Sequence, residues 1–260
     1  ILIGVFGSLP FILSGSIKSF IPAFFETVSG FTTTGASVLI DIEALPKSVL
    51  YWRSLTHWLG GMGILVLVIA IMPTVGYGGV KLFVAEVSGP NSNKLHPKIK
   101  TTALYLWLIY LGLTLILLVL LLLGDMNFFE SLTHAFGTVS TGGFSPKNTS
   151  IFNYSSYIQV VITIFMFLGA VNFSIYYLIV AGKLKKAFLN QEMLLFLGFV
   201  VLSSLIVVSI LLSSNYPFTI KEAFVHSFFQ VTSIVSTCGF GSADYMLWPQ
   251  LSWFVLFLMF

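Results

Sequence analysis

Apolar residues run through this chain in long blocks, and the charged residues fall into the gaps between them. No Asp, Glu, Lys or Arg lies between Arg53 and Lys81, Lys100 and Asp125, Lys147 and Lys183, or Glu192 and Lys221. Each stretch has room for a helix of about 20 residues, the length that crosses roughly 30 Å of hydrocarbon. Two further apolar segments, 1–13 and 248–260, stand at the ends. Neither carries a cap or a polar tail, so both are expected to be cut inside a helix. No basic segment with a small-residue cleavage site precedes them, and no signal peptide is read.

Three segments between these blocks have a different pattern. They are residues 25–36 (FETVSGFTTTGA), 134–144 (HAFGTVSTGGF) and 230–240 (QVTSIVSTCGF). Aligned on Gly35, Gly143 and Gly239, each reads as a short amphipathic helix running into a Ser/Thr-rich stretch. Gly143 lies 108 residues after Gly35, and Gly239 lies 96 residues after Gly143. A period near 100 that contains helix, short helix, polar loop and helix is a structural unit. A short helix of about a dozen residues, roughly 18 Å, cannot span a bilayer and is expected to dip in and return on one face.

Such a loop carries unpaired carbonyls to membrane depth, which lipid tolerates only around a wet cavity or inside protein. Three loops of one pattern most simply surround one axis, where carbonyls can replace the water shell of a cation. Glycine supplies backbone angles closed to other residues. Each short helix ends just before its loop, so its negative end favours a cation. Small hydroxyl residues beside the glycine are expected to hydrogen-bond behind the strand and hold it open. The rival reading, a Gly/Thr turn between ordinary helices, fits one segment as well but not three aligned copies. Glu26, His134 and Gln230 stand nine residues before the aligned glycines. Polar residues at that depth are candidates for function, and a structural hydrogen bond is favoured over contact with an ion.

Composition narrows the class. Of 260 residues, 57% are apolar and 8% charged, against about a quarter charged in soluble domains. Too few charges remain to cover a surface in water. Seven of the 12 Lys and Arg lie in two short connections, Lys81, Lys94, Lys98 and Lys100 in one and Lys183, Lys185 and Lys186 in the other. The positive-inside rule places both in the cytoplasm and the segments around residues 41–53, 147–157 and 244–249 outside. The single cysteine, Cys238, excludes an internal disulfide and a cysteine-only metal site. His57, His96, His134 and His226 show no metal-ligand spacing. Nothing resembles a catalytic triad, a Walker loop or a dinucleotide fingerprint, so no enzyme is read. Nor is a nucleic-acid partner expected.

Thr74-Val75-Gly76-Tyr77-Gly78 spells the filter of ordinary potassium channels. It follows a complete spanning helix, about 49–72, with Pro73 as the stop, and leads into the basic connection. It is read as an inner turn instead. Gly60-Gly61-Met62-Gly63 reads as close helix packing. Arg53 reads as an interfacial residue or as a contact behind a loop. Gly169, Asn172 and Ser174 interrupt the apolar surface of a spanning helix, which suits packing beside a pore.

These motifs closely resemble the TrkH/TrkG/KtrB superfamily of potassium transporters, and its Trk branch best, over practically the whole chain. The carriers are residues 25–36, the run 52–63 (WRSLTHWLGGMG), Ser88-Gly89-Pro90, and the loops ending at Phe144 and Phe240. The resemblance implies an all-α membrane fold of repeated helix–pore-loop–helix units, pseudo-four-fold around a pore. The expected organisation is residues 1–72, 101–182 and 191–260 as three repeats, joined by cytoplasmic connections at 73–100 and 183–190. It implies potassium uptake across the bacterial cytoplasmic membrane, usually as a homodimer in lipid gated by a cytoplasmic nucleotide-binding TrkA-like ring. The only cofactor-like species is K⁺ itself.

The residues that match the family filter are Thr33, Thr34 and Gly35, then Thr141, Gly142 and Gly143, then Thr237, Cys238 and Gly239. Thr32, Ser140 and Ser236 flank them, and Glu26, Arg53, His134 and Gln230 are candidates for structural support. A glycine in all three loops resembles the potassium-selective members. Cys238 stands where threonine is usual, and its carbonyl is expected to face the ion still. The family's fourth repeat and the helices before its first are absent from these residues. The polypeptide as it stands is therefore expected not to conduct by itself. Two rivals are a sodium-coupled KtrB-type permease or symporter and a non-conducting membrane scaffold.

Overall fold

The computed structural model describes residues 1–75, 99–180, 182–214 and 216–260, and every regular element among them is helical. The first unit comprises α1 (Leu2–Leu13), α2 (Phe20–Phe31) and α3 (Lys47–Val75). The second comprises α4 (Ile99–Leu122), α5 (Phe128–Val139), α6 (Ser156–Ala170), α7 (Phe173–Val180) and α8 (Leu184–Phe188). In the third, α9 (Gln191–Ser213) and α10 (Ile220–Val235) lead through a short 3₁₀ turn, Tyr245–Leu247, into α11 (Gln250–Phe257).

Local chemistry places the helix starts. Asn127 accepts a hydrogen bond from the Glu130 N–H at 2.9 Å and opens α5. Thr219 and Glu222 form a reciprocal capping box at the start of α10, and the same bonds hold the Glu222 carboxyl below its ordinary range. Asn190 caps α9 through the Met193 N–H. All three caps are Asn or Thr, residue types that mark a helix start in a sequence.

Apolar side chains face outward along whole helices, while many polar ones are buried beside the apolar core. On α4, Leu104, Leu108, Leu115 and Val119 are exposed, and on α9 Leu195, Phe199, Leu202 and Ile206 are. These spacings of three, four and seven residues draw one apolar stripe down each helix. The buried set, in contrast, includes Glu26, Thr27, Ser29, Arg53, Thr56, His57, His134, Thr138, Gln230, Thr232 and Ser233. Apolar surface is tolerated outside only if the surrounding medium is apolar too. Residues 104–122 of α4 and the whole of α9 are long and apolar enough to cross a membrane.

The units interlock in sequence. Each short helix packs on the helix before it: α2 on α1, α5 on α4, α10 on α9. The helix that closes one unit then packs on the short helix of the next, α3 on α5 and α6 on α10. Gly60 and Gly61 let α3 approach its neighbours closely, at Phe31 of α2 and at Ser140 and Tyr110. A Cβ on Gly60 would collide with the Phe31 carbonyl at the end of α2, whereas Gly63 has nothing within 4 Å among the described residues. The packing reading of this glycine run therefore applies to Gly60 and Gly61, not to Gly63. Gly60→Ala is expected to lower stability by about 1–3 kcal/mol through overpacking. Gly63→Ala should be neutral or stabilising by up to about 1 kcal/mol, from helix propensity alone. Thermal unfolding of the two variants in detergent checks this, and equal melting temperatures would contradict it.

Three expectations need correction. Helix α3 runs on to Val75, so Pro73 lies in its last turn and does not stop it. A proline removes one donor and crowds the turn behind it, which a helix ending two residues later can absorb. Second, the apolar stretch before Lys183 is not one helix. Val171 is extended (φ −68°, ψ 138°) between α6 and α7. The freed Leu168 carbonyl accepts from both the Val171 N–H and the Tyr176 hydroxyl, which satisfies it without water. Third, α10 has 16 residues where about a dozen were expected, while α2 and α5 have 12 each. Gly76-Tyr77-Gly78, Ser88-Gly89-Pro90, Lys81, Lys94 and Lys98 lie outside the described residues.

Candidate functional site

The three loops after α2, α5 and α10 meet at one point. A Cβ built on Gly35 would collide with the Gly142 carbonyl oxygen and come within 3.8 Å of the Cys238 oxygen. One built on Gly143 would collide with the Cys238 oxygen. The glycine of each of these two loops thus lies against the carbonyl just before the glycine of the next. The segments that follow the loops also meet on one side. The Asn148 side chain accepts from the Ile42 N–H at 2.7 Å and donates to Asp41 at 2.8 Å. The Gly241 carbonyl accepts from the Ile151 N–H at 3.0 Å. The bond from Asn148 holds the exposed Asp41 carboxyl below its ordinary range.

Backbone geometry repeats from loop to loop. Thr33, Thr141 and Thr237 have φ of 53°, 53° and 59°, and Gly35, Gly143 and Gly239 have 76°, 77° and 87°. A β-branched residue in the left-handed region is a genuine outlier. Three at equivalent positions mark a built feature, since such strain persists only where surroundings enforce it. The sequence reading assigned unusual φ to the glycines and missed the threonines. The available signal was a threonine two residues before every aligned glycine.

Hydrogen bonds explain the enforcement. Thr33 N–H donates to the Gly30 carbonyl at 3.1 Å and Thr34 N–H to Ser29 at 3.0 Å. In the second loop, Thr141 N–H donates to Thr138, and both Gly142 and Gly143 N–H to Gly137. In the third, Thr237 N–H donates to Ile234, and Cys238 and Gly239 N–H to Ser233. Every one of these donors is turned back to its own short helix. In a planar trans peptide the preceding carbonyl points the opposite way. The oxygens of Thr32 and Thr33, of Ser140, Thr141 and Gly142, and of Ser236, Thr237 and Cys238 therefore face away from the helices, towards the shared centre. The Cys238 thiol takes no part, because its sulfur lies 3.7 Å from the Gly137 carbonyl behind the loop.

The flanking hydroxyls of Thr32, Ser140 and Ser236 bond back to their own short helices, and two further hydroxyls brace the strands from those helices. Ser29 Oγ donates to the Ala36 carbonyl at 2.5 Å and Ser233 Oγ to the Phe240 carbonyl at 2.6 Å. The residue at that place in the second unit is Gly137. A second brace lies further out. Glu26 accepts from the Ser37 hydroxyl and the Val38 N–H, each at 2.9 Å. His134 Nε2 meets Ser145 Oγ at 3.0 Å, the equivalent pair in the second unit. In the third unit Gly241 stands where those serines stand, and Gln230 Oε1 finds no partner among the described residues.

Arg53 ties two units together. Its Nε donates to Glu26 Oε1 at 2.6 Å and its Nη1 to the Ser145 carbonyl at 3.0 Å, while the guanidinium lies 3.6 Å from the Phe144 ring centroid. Both charges are buried, at 3% and 0% exposure, so the pair sits at low dielectric rather than at an interface with water. Among the described residues no group of three or more His, Cys, Asp or Glu is placed to hold a metal. What converges on the centre is backbone oxygen, which suits a weakly hydrated monovalent cation and no covalent chemistry.

Comparison with known proteins identifies the family and the fold. The family model described as TrkH, cation transport protein, matches residues 1–260. The chain is 40% identical to the Trk system potassium uptake protein TrkH of Halomonas elongata, over 98% of this chain and 54% of that protein. It is 38% identical to the protein of that name in Escherichia coli K12, over 95% and 52%. The crystal structure of the potassium transporter TrkH from Vibrio parahaemolyticus superposes with a TM-score of 0.84 at 33% identity, covering 99% of this chain and 53% of that one. The chain thus spans about half the length of the relatives it matches.

Proposed function

This chain belongs to the TrkH family of cation transport proteins, and on that premise we propose that its three loops form part of a potassium-selective filter for K⁺ uptake. The observation that carries the reading is the threefold repeat of donors turned back to the short helices. It leaves eight carbonyl oxygens facing the centre from Thr32, Thr33, Ser140, Thr141, Gly142, Ser236, Thr237 and Cys238. An ion entering there trades water for these oxygens, and their fixed spacing penalises a smaller ion that they cannot all reach. The carboxyl ends of α2, α5 and α10 point at the same place and add their partial negative charge.

The three units would be residues 1–72, 101–182 and 191–260, set in the cytoplasmic membrane of a bacterium with the basic connections inside. Gly35 and Gly143 each lie against the next loop, while Gly239 has nothing within 4 Å among the described residues. That side of Gly239 is where we place the fourth quadrant expected from the family. Gating by a cytoplasmic TrkA-like ring and assembly as a homodimer complete the proposal.

The test is ion flux by the complete gene product containing this chain, reconstituted in liposomes. K⁺ uptake that exceeds Na⁺ uptake and continues without Na⁺ is the expected result. Strict dependence on Na⁺ would favour a coupled permease, and no flux of either ion would favour a scaffold.

A further inference from the structure

The second loop lacks the hydroxyl brace of the other two, because Gly137 replaces the serine found at residues 29 and 233. A different residue occupies the space behind it. His57, one helical turn beyond Arg53 on α3, is fully buried and belongs to the first unit, not the second. Its imidazole stacks on the Phe144 ring with centroids 3.8 Å apart and 17° between the planes. The Phe144 N–H donates to His57 Nδ1 at 3.3 Å. A Cβ on Gly142 would collide with Nδ1 and lie 2.7 Å from Cε1, so the ring is wedged directly against the filter strand. Arg53 lies 3.6 Å from the same Phe144 centroid. Two groups that close to one ring cannot share a face, so Phe144 is held between the arginine and the histidine.

We propose that His57 is a positioning residue for the second filter loop, and that it sets the potassium selectivity of the pore by fixing the Gly142–Phe144 backbone. The inference rests on the filter reading given above. A donor at Phe144 requires Nδ1 to be bare, so His57 works as the neutral imidazole protonated on Nε2. Held from Nδ1, the peptide between Gly143 and Phe144 cannot rotate, and the imidazole packed against Gly142 limits movement of the strand just before it. The first unit thus supports the filter strand of the second through a side chain, in addition to that loop's own bonds to α5, where the first and third loops take a serine brace from their own helices.

The test compares His57→Phe, which keeps an aromatic ring but has no acceptor, with His57→Asn, whose Oδ1 reproduces the Nδ1 acceptor. Both are made in the complete gene product, and K⁺ and Na⁺ flux are normalised to the protein in the membrane. Loss of one buried acceptor is expected to lower the K⁺/Na⁺ preference about tenfold or more in His57→Phe, whereas His57→Asn stays within about threefold of wild type. A fall in abundance alone would not move this ratio. Should His57→Phe fail to accumulate, His57→Gln replaces it, since its acceptor falls beyond the Nδ1 position. Undiminished selectivity in the acceptor-free variant, or an equal loss in His57→Asn, overturns the proposal. A wild-type protein that passes both ions alike would overturn the filter reading beneath it.

Discussion

Replacing Gly143 by alanine is expected to abolish potassium-selective uptake, with the largest effect of any single methyl group added to this chain. Two costs combine there. At φ 77° an L-residue pays about 1–2 kcal/mol for the left-handed backbone. The new methyl also collides with the Cys238 carbonyl oxygen. That oxygen cannot withdraw, because the Cys238 and Gly239 N–H groups tie its strand to Ser233 from behind. The overlap is relieved only by moving a carbonyl off the centre, which destroys the matched spacing that selects the ion. Gly182→Ala is the control: its φ is 73°, but among the described residues nothing lies within 4 Å of the added Cβ. It pays the backbone cost without the collision and should retain uptake. Potassium-limited growth and K⁺/Na⁺ flux ratios of the two variants decide the matter. Selective uptake by Gly143→Ala would remove the loops from the ion path.

Breaking the Arg53–Glu26 pair should have the second largest effect, on stability rather than selectivity. Arg53→Leu leaves the Glu26 carboxylate buried with, among the described residues, the Ser37 hydroxyl and the Val38 N–H to face it. Removing one partner of a buried ion pair costs about 3–5 kcal/mol, because the desolvation of the other is no longer offset. That is a large share of the roughly 5–15 kcal/mol that separates folded from unfolded domains. The same substitution also frees the Ser145 carbonyl and uncovers one face of Phe144. Glu26→Gln in the Arg53→Leu background removes the stranded charge yet keeps polar atoms for Ser37 and Val38. The double variant is therefore expected to melt at a higher temperature than Arg53→Leu alone. A double variant no more stable than the single one would mean that the charge itself contributes little.

Arg53 shows where reading along the chain stops being enough. As a charged residue near one end of an apolar block, it reads equally well as an interfacial anchor or as a contact behind a loop. Its three contacts come from residues 27, 91 and 92 positions away, and no local pattern relates them. His57 was legible only as a histidine without metal-ligand spacing, since its partner Phe144 belongs to another unit. The break at Val171 was not legible either. Gly169, Asn172 and Ser174 signal an interruption in apolar surface, but an apolar residue left extended carries no mark in the sequence.

What the sequence determined alone was the solvent, the period and the class. Charge scarcity dictates lipid, because uncovered apolar surface is stable nowhere else. Three glycines with threonine before them, each after a short helix, dictate three dipping loops. These signals are local or periodic, so they survive without coordinates. Tertiary structure decided which way the peptides face and what holds them there. Carbonyl direction depends on where each N–H finds its acceptor: the strained threonines and the serine braces exist only once each loop folds back on its own short helix, and the histidine wedge only once separate units close upon one another.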